Sequence, residues 1–563
     1  MKVWVSDMKG SVNPIGSNLG VSGMTPVLRA DGITQPINQI CRDAFVDGIV
    51  EEDSGDEILV RLNNPIGVYS YDGHSFISST ASRIYQGISS RMIEIITRTN
   101  RKIEVTPFHR LPTFNGETIE ERKAQFLQPG DYLIAPRWVG KITAVTALFS
   151  LYDFDLGLRA VEQGVLDTVT QLMYKVMNQK NMDLTTLGKK CGVSYFVAYG
   201  FYKQKNKPTL QFIKRLATLA GISPPPVVFA KAERQSNPFR IPSRMNDEFA
   251  EWLGLFIADG HIKGNKGVYL YNTSSEILNR WNDLTESIFE LKTVFGQDDD
   301  DRTPYQRTNS VNLLRFLYHI GIPKNDKTST VRVPYCILLG NTELLTHFLT
   351  GYFAGDGHFS RYTIEFGSTS RNLIYDMSYI LARLGVLFSF RSKKTDGKDH
   401  HRVTIDGEQA TILAEMFREF DCYHYEKLKP LFAYASSDTK HFRGLDIVPV
   451  SPVLLSDVSQ EAKNSRGHSI FKKNGVNMYN FTTLGEIPSV KTVQKMVSII
   501  DSVKNGMSAE TRNRLHRILC YTENLFFDRI KEINIIEEET KVYKLVLKDQ
   551  QNYIGGYLPI LLM

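Results

Sequence analysis

The sequence predicts a multidomain α+β protein, and three observations carry that expectation. At 563 residues the chain is longer than one hydrophobic core covers, and its 42% hydrophobic and 23% charged residues are those of a folded globular protein. Residues 20 to about 137 run as short β-rich segments divided by turn signals. Near the middle, two apolar, helix-length segments read alike, and each ends in Asp-Gly. No apolar run approaches the roughly 20 residues of a membrane span. The start, Met1-Lys2-Val3-Trp4-Val5-Ser6-Asp7, lacks the charged-then-apolar design of a secretion signal. The five cysteines (Cys41, Cys191, Cys336, Cys422, Cys520) are far apart and form no Cys-x-x-Cys, so neither a zinc knuckle nor a disulfide framework is indicated. A reducing cytoplasm, with the nucleoid as neighbour, is the expected setting, with no membrane partner.

The N-terminal β region is read from segments 57–60, 67–71, 92–97 and 102–106. Asn63-Asn64-Pro65, Asp72-Gly73 and Pro129-Gly130-Asp131 punctuate it. It predicts an all-β domain with little helix.

A basic module follows. Residues 181–223 carry Lys189, Lys190, Lys203, Lys205, Lys207, Lys214 and Arg215 against Asp183 alone, the footprint of a polyanion contact. Asp183-Leu184-Thr185-Thr186-Leu187-Gly188-Lys189-Lys190-Cys191-Gly192-Val193-Ser194 predicts a helix, a tight glycine turn and a second helix capped by Ser194. Helices are expected over 195–202 and 209–220, and Pro224-Pro225-Pro226 marks a stiff linker. The module resembles a phage-repressor helix-turn-helix, whose second helix enters the major groove. Ser194, Tyr195, Tyr199 and Lys203 are then the groove-facing candidates, with Lys205 and Lys207 on phosphates.

The two matched segments are Leu253-Gly254-Leu255-Phe256-Ile257-Ala258-Asp259-Gly260 and Leu349-Thr350-Gly351-Tyr352-Phe353-Ala354-Gly355-Asp356-Gly357. In each, small residues stand five places before the acid and directly before it, which lets two helix backbones approach closely. Packed side by side, such helices bring Asp259 and Asp356 to one end. A strand, a polar turn and an amphipathic helix then follow each copy: 268–271 and 276–289 after the first, 363–366 and 371–384 after the second. One Asp-Gly pair reads as a simple turn; two in matched repeats point to converging carboxylates, a divalent-metal arrangement for phosphodiester cleavage.

This duplication resembles the LAGLIDADG homing endonucleases in their single-chain form, with Ala258 and Gly355 before the acids and the upstream Asp of the named motif absent from both copies. The ends of the chain resemble an intein of the Hint fold, most like those in archaeal vacuolar-type ATPase catalytic subunits. Gly20-Val21-Ser22-Gly23-Met24-Thr25-Pro26-Val27-Leu28 looks like an opening block, and Val105-Thr106-Pro107-Phe108-His109 looks like the Thr-x-x-His block. Val542-Tyr543-Lys544-Leu545-Val546 and Gln551-Asn552-Tyr553-Ile554-Gly555-Gly556 look like closing strands. The implied architecture is an all-β Hint domain split between the N- and C-terminal ends, the helix-turn-helix module, and a pseudo-twofold αββαββα endonuclease. Its expected boundaries are 1–19 (leader or host remnant), 20–145 and 531–563 (Hint), 146–240 (linker and basic module), 241–440 (endonuclease) and 441–530 (a mixed helical section without assigned chemistry).

The resemblance implies that Asp259 and Asp356 hold Mg²⁺, with the carbonyls of Ala258 and Gly355 completing the ligation. It also implies a lysine near each scissile phosphate. Lys327 and Lys427, 68 residues after Asp259 and 71 after Asp356, are the candidates, each equally readable as a solvated surface lysine. Strands at 268–271, 363–366, 387–391 and 401–405 would form a saddle over the DNA, with Lys393, Lys394, Lys398 and Arg402 on phosphates. His261 and His358 read as spectators near the DNA.

The splicing centre reads differently. Gly20 occupies the position of the first nucleophile and has no side chain to attack with. Met563 stands where a penultimate His is expected, with no Asn after it, and Lys544 and Gln551 replace the closing-strand Asp and the nearby His. Only Thr106 and His109 match, and His109 is then expected to serve packing and hydrogen bonding. The leading expectation is a Mg²⁺-dependent, site-specific double-strand DNA endonuclease with a long asymmetric target. It would be intein-derived, splicing-defective, and a monomer acting as a pseudo-dimer. Open beside it are a self-splicing intein in an inactivated or trimmed form, and a sequence-specific DNA-binding protein without catalysis.

Overall fold

The computed structural model describes residues 19–563 apart from 141, 143, 155–156, 233–237, 266, 298–302, 396, 420–424, 436–443, 463–469 and 503–507. The chain forms two compact units. One comprises Met1–Ala144, Phe359–Glu415 and Lys427–Met563; the other comprises Val145–His358 and Met416–Glu426.

The first unit is built on an eleven-stranded antiparallel sheet that takes strands from both ends of the chain. Leu525–Ile536 lies between Tyr132–Pro136 and Met92–Thr97, and Thr540–Leu547 lies between Val21–Ser22 and Phe76–Ser89. Alternation sets the buried face: in Lys102–Val105, Ile103 and Val105 are buried while Lys102 and Glu104 are not. Tyr553–Gly555 and Ile560–Leu562 form a smaller sheet with Pro26–Leu28 and Thr34–Pro36.

Fully buried Arg101 joins the two ends. Its guanidinium lies 3.3 Å from the Asp528 carboxylate, donates to the Pro559 carbonyl at 3.1 Å, and packs over Phe388 and Phe526. Thr97 and Thr99 donate their hydroxyls to Asp528, so the buried carboxylate is hydrogen-bonded as well as paired.

Two expectations for this unit need correction. The β region holds an 11-residue helix, Ile37–Asp47, whose Ile37, Ile40 and Cys41 turn inward at helical spacing among charged residues. The strand Leu525–Ile536 begins inside the stretch 441–530 read as helical, directly after the helix Ala509–Asn524. The helices of that stretch have a packing role. Leu454, Val493, Met496, Leu515 and Ile518 share one core with Phe114 and Phe527, whose rings stack at 4.2 Å.

The second repeat's helix, Arg371–Leu384, and its strands Thr363–Ser368, Ser389–Thr395 and Lys398–Asp406 also belong to the first unit. Asp376 accepts the Thr34 hydroxyl at 2.9 Å, the Tyr379 hydroxyl donates to the Gly556 carbonyl at 2.6 Å, and the Phe390 amide donates to the Thr99 carbonyl at 2.9 Å.

The second unit centres on the motif helices Asp247–Asp259 and Thr342–Asp356. Asn246 and Asn341 cap them, each side chain accepting an amide of the first turn. Residues 249–257 and 344–354 are buried nearly all round, which explains why these helices are apolar on every face. Glu251 is the buried charged residue among them, held by both arms of Arg280 at 2.9 and 2.6 Å, and Thr346 and Thr350 are buried with their hydroxyls donated one turn back. Phe149, Phe289 and Phe316 pack against Phe249 and Trp252 of the first helix.

The following sheet has four strands in the order Gly260–Lys263, Gly267–Tyr271, Pro304–Asn309, Val294–Gln297. Only 268–271 of these was expected. Val294–Gln297 is largely exposed and Gly260–Lys263 is short, so neither carries a buried alternating face long enough to read.

The helix pair supplies the first test. A methyl group in place of the Gly254 hydrogen would lie 2.2 Å from the Phe348 carbonyl oxygen, and one at Gly351 would lie 2.2 Å from the Glu251 carbonyl oxygen. Gly254→Val and Gly351→Val should each lower the stability of this unit by ~2–3 kcal/mol in urea unfolding. Gly164→Ala, where nothing lies within 4 Å of the added carbon, should be neutral or slightly stabilising.

Candidate metal centre and nucleic-acid surfaces

The motif helices run parallel. Gly254 meets Phe348, Gly351 and Tyr352, and further along Gly355 meets Ala258 and Asp259, so residue numbers rise together on both helices. Both C-termini therefore lie at the same end, where Asp259 and Asp356 are the last helical residues. A methyl group at Gly355 would sit 2.6 Å from the Ala258 Cβ and 2.7 Å from Asp259 Oδ2. A glycine is thus required where the second helix passes the first acid.

The surroundings fix each carboxylate differently. Asn272 donates its Nδ2 to Asp259 Oδ2 at 2.6 Å, and the Tyr352 hydroxyl lies 3.5 Å from Asp356 Oδ2. Burial of the carboxyl raises the Asp259 pKa; Asn272 and the Lys327 charge oppose that rise. Asp356 reaches the surface, yet the protein crowding its carboxyl and the Asp259 charge push it up to about 7, against the pull of Lys327 and Tyr352.

Lys327 is not a solvated surface lysine. Its Nζ donates to the carbonyls of Ile257 at 3.0 Å and Gly260 at 2.5 Å and sits 5.1 Å from the Phe256 ring centroid. Burial brings its pKa down to about 8, opposed by the charges of Asp356 and Asp259. The Lys427 side chain lies outside the described residues. His261 and His358 are exposed on the strands after the acids.

The oxygen set suits a hard divalent cation. Two carboxylates stand at the negative ends of two aligned helix dipoles, and one lysine does not balance that charge. In the last turn of the first helix, the Phe256 carbonyl accepts the Gly260 amide and the Ile257 carbonyl accepts Lys327. The carbonyl of Ala258 comes next, beside the paired acids.

In the basic module the helices are Leu184–Cys191, Tyr195–Tyr202 and Leu210–Ala220, preceded by Gln163–Gln179, a helix not among those expected. Gly192 turns the chain with a φ of 77°, and the Ser194 hydroxyl accepts the Val197 amide, so this residue acts as a cap. Tyr195 and Tyr199 are exposed, with ring centroids 6.0 Å apart. Lys203 and Lys205 are exposed or partly so, with Lys205 Nζ 5.8 Å from the Tyr199 ring. Lys207 is half-buried. Phe196, 81% exposed, is missing from the groove-facing candidates, because its outward position follows only from the face the helix turns to the core.

On the hairpin of the second repeat, Lys393, Lys394 and Lys398 are exposed. Arg402 is exposed but engaged, its Nη1 donating to Glu365 at 2.7 Å. A Glu–Arg pair on adjacent strands is not visible without the register that sets Gly367 opposite Arg402.

At the β domain, the Gly20 amide donates to Thr106 Oγ1 at 3.1 Å, and the Thr106 amide donates back to the Gly20 carbonyl at 3.0 Å. A side chain at position 20 would begin 2.9 Å from the Val542 Cβ. His109 is buried, but the expected hydrogen bonding of its ring is absent: neither nitrogen has a partner among the described residues. Burial and the Lys544 ammonium push its pKa down to about 3. Lys544 is itself lowered by burial, opposed by Glu121. Met563 is buried beyond the last strand.

A β-sheet sharing strands from both ends, with Thr106 clasping Gly20, defines a protein of the intein class. The chain belongs to the intein splicing domain family, whose description matches residues 44–560. It is 27% identical over 559 residues to an A-type ATP synthase subunit of Pyrococcus abyssi (strain GE5 / Orsay), covering 98% of this chain and 43% of that one. It therefore spans less than half of that relative's length. Among solved structures, the TvoVMA intein is 36% identical over 21% of this chain and 71% of its own, with a TM-score of 0.20. I-DmoI, solved in complex with DNA and Mn, is 17% identical over 30% of this chain and 95% of its own, with a TM-score of 0.25.

The raised Asp356 carboxyl gives a pH prediction. Its stabilising contribution is fully present below the ordinary carboxylate pKa and is lost as pH rises through about 7. In EDTA, the melting temperature of the parent minus that of Asp356→Asn should fall between pH 5 and 8, a difference in which the opposite titration of buried His109 cancels, and Mg²⁺ should raise the parent's melting temperature most at pH 8.

Proposed function

We propose that this chain is a site-specific double-strand DNA endonuclease within an intein framework that has lost splicing. The observation that carries the reading is the parallel contact of the motif helices through Gly254 and Gly351, which sets Asp259 and Asp356 together beside Lys327. In this reading Asp259, Asp356 and the carbonyls of Ala258 and Gly355 hold Mg²⁺. The ion supplies Lewis acidity and a more acidic bound water.

The chain's own groups do the rest. Asn272 fixes the orientation of the Asp259 carboxylate through its 2.6 Å hydrogen bond. Lys327, with a pKa near 8, is poised to exchange a proton at Nζ at working pH and places positive charge beside the incoming phosphate. Each repeat serves one strand of the duplex, as a pseudo-dimer within one chain. The basic module and the hairpin lysines Lys393, Lys394 and Lys398 hold phosphates, giving affinity without sequence information. The target is a long asymmetric duplex.

Cleavage of a randomised double-stranded DNA library tests the reading. Cuts at one long defined sequence should require Mg²⁺ and disappear in Asp259→Asn and Asp356→Asn. Lys327→Met should slow cutting by ~10²–10⁴-fold with binding retained. Selective binding without any cutting would instead assign the chain to the non-catalytic DNA-binding class.

Loss of splicing is supported by Gly20, by Lys544, and by a His109 ring held neutral and without partners among the described residues. A buried neutral imidazole beside an ammonium is a poor acid for helping to break the peptide before residue 20. Incubated with thiol, both the chain and its Gly20→Cys variant should remain one polypeptide on a denaturing gel. A fragment starting at residue 20 would restore the splicing reading.

A further inference from the structure

We propose that the helix Tyr195–Tyr202 reads the C5 methyl groups of thymines in the major groove; the inference rests on the DNA-endonuclease reading above. Phe196 is 81% exposed, Tyr195 44%, Val197 38% and Tyr199 37%. Ring contacts of 5.5 and 6.0 Å join Tyr195 to Phe196 and Tyr199 in one outward apolar surface, while Ala198 and Phe201 face the module's core, where Phe201 packs on Phe212 at 4.8 Å. Contiguous exposed apolar surface of this kind marks a contact site rather than ordinary surface scatter.

The charge around it selects the partner. Lys189, Lys190, Lys203 and Lys205 reach solvent in this module, and two of its acids are engaged: Asp183 caps the Thr186 amide and Asp167 accepts from Gln163 and Gln204 at 2.9 and 2.8 Å. A basic rim fits a polyanion. The helix sequence Tyr-Phe-Val-Ala-Tyr-Gly-Phe-Tyr then says which features of DNA it reads. It contains no Arg, Lys, Asn or Gln to pair bidentately with guanine or adenine, and no Asp or Glu to accept from cytosine. The amide just beyond it, Gln204, is committed to Asp167 at 2.8 Å and to Gln163 at 2.7 Å. The base-edge group left for an aromatic and aliphatic surface is the thymine methyl. Phe196, in the first turn, is the primary reader, with Tyr195 and Tyr199 extending the surface.

The test uses the full-length chain in EDTA. A random-sequence duplex library is enriched by binding, and the enriched duplex is resynthesised with uracil for thymine within the footprint of the module. Uracil pairs as thymine does and lacks only the methyl. Affinity should fall about fourfold for each methyl contacted. Phe196→Ala, at an exposed position, should bring the thymine-to-uracil ratio close to one, whereas Lys203→Ala should weaken both duplexes equally and leave the ratio intact.

Equal binding of the two duplexes by the parent chain, or an unchanged ratio in Phe196→Ala, overturns the inference. The endonuclease reading is scored separately on the same thymine duplex, by Mg²⁺-dependent cutting that Asp259→Asn abolishes. A duplex that is cut but shows no thymine effect overturns only this inference, and failure to enrich any duplex overturns both.

Discussion

The contact of two helix backbones at Gly254 and Gly351 is the constraint on which the second unit depends. Helix pairs with ordinary side chains at the crossing keep axes about 8–10 Å apart, and that separation would part the two acids. Here each glycine faces a carbonyl of the other helix, with no room for a single added carbon. Three consequences follow from one approach. The helices run parallel, their C-termini share an end, and the carboxylates there feel each other strongly enough to help drive Asp356 up to about 7. The apolar character of both helices serves the same end, since a helix buried on every face cannot roll away from its partner.

A second constraint organises the first unit. Arg101 and Asp528, from the two ends of the chain, are both buried, and Thr97, Thr99 and the Pro559 carbonyl add hydrogen bonds to the pair. Removal of either partner would leave a buried charge uncompensated, a loss of about 3–5 kcal/mol. The pair also holds Phe388 and Phe526 against the guanidinium, so the second repeat's chain and the closing strand meet on one residue. This is how a β domain assembled from sequence-distant strands is kept in a single register.

Much of the second unit was legible because its signals are local. The helix expected over 276–289 is Ser275–Phe289, capped by Ser274, and its apolar period is regular. In the first unit the helix expected over 371–384 is Arg371–Leu384, capped by Ser370 for the same reason. The paired acids were legible because the spacing of Gly254 and Gly351 encodes a backbone contact. What stayed hidden depends on long-range geometry. Lys327 is anchored by carbonyls of Ile257 and Gly260, some seventy residues away in sequence, and nothing local distinguishes it from an exposed lysine. The same holds for Phe196, whose exposure is set by which face Phe201 turns inward, and for Leu525–Ile536, whose strand character comes from its neighbours in the sheet.

The two titratable centres of the chain differ in a way that explains why one is read as chemical and the other as structural. His109 is buried, without partners among the described residues and held neutral down to about 3, with a lysine where a charge of the opposite sign would be needed to ionise it. Such a ring is a poor general acid near neutral pH, which is why this centre is read as structural. Asp259, Asp356 and Lys327 are arranged in the opposite sense. Their ionisation is coupled, that of Asp356 and Lys327 falls close to neutrality, Asp356 opens to solvent, and the charge they share with two helix ends is negative and incompletely balanced. In the proposed reading, a divalent cation carrying a phosphate would offset that imbalance.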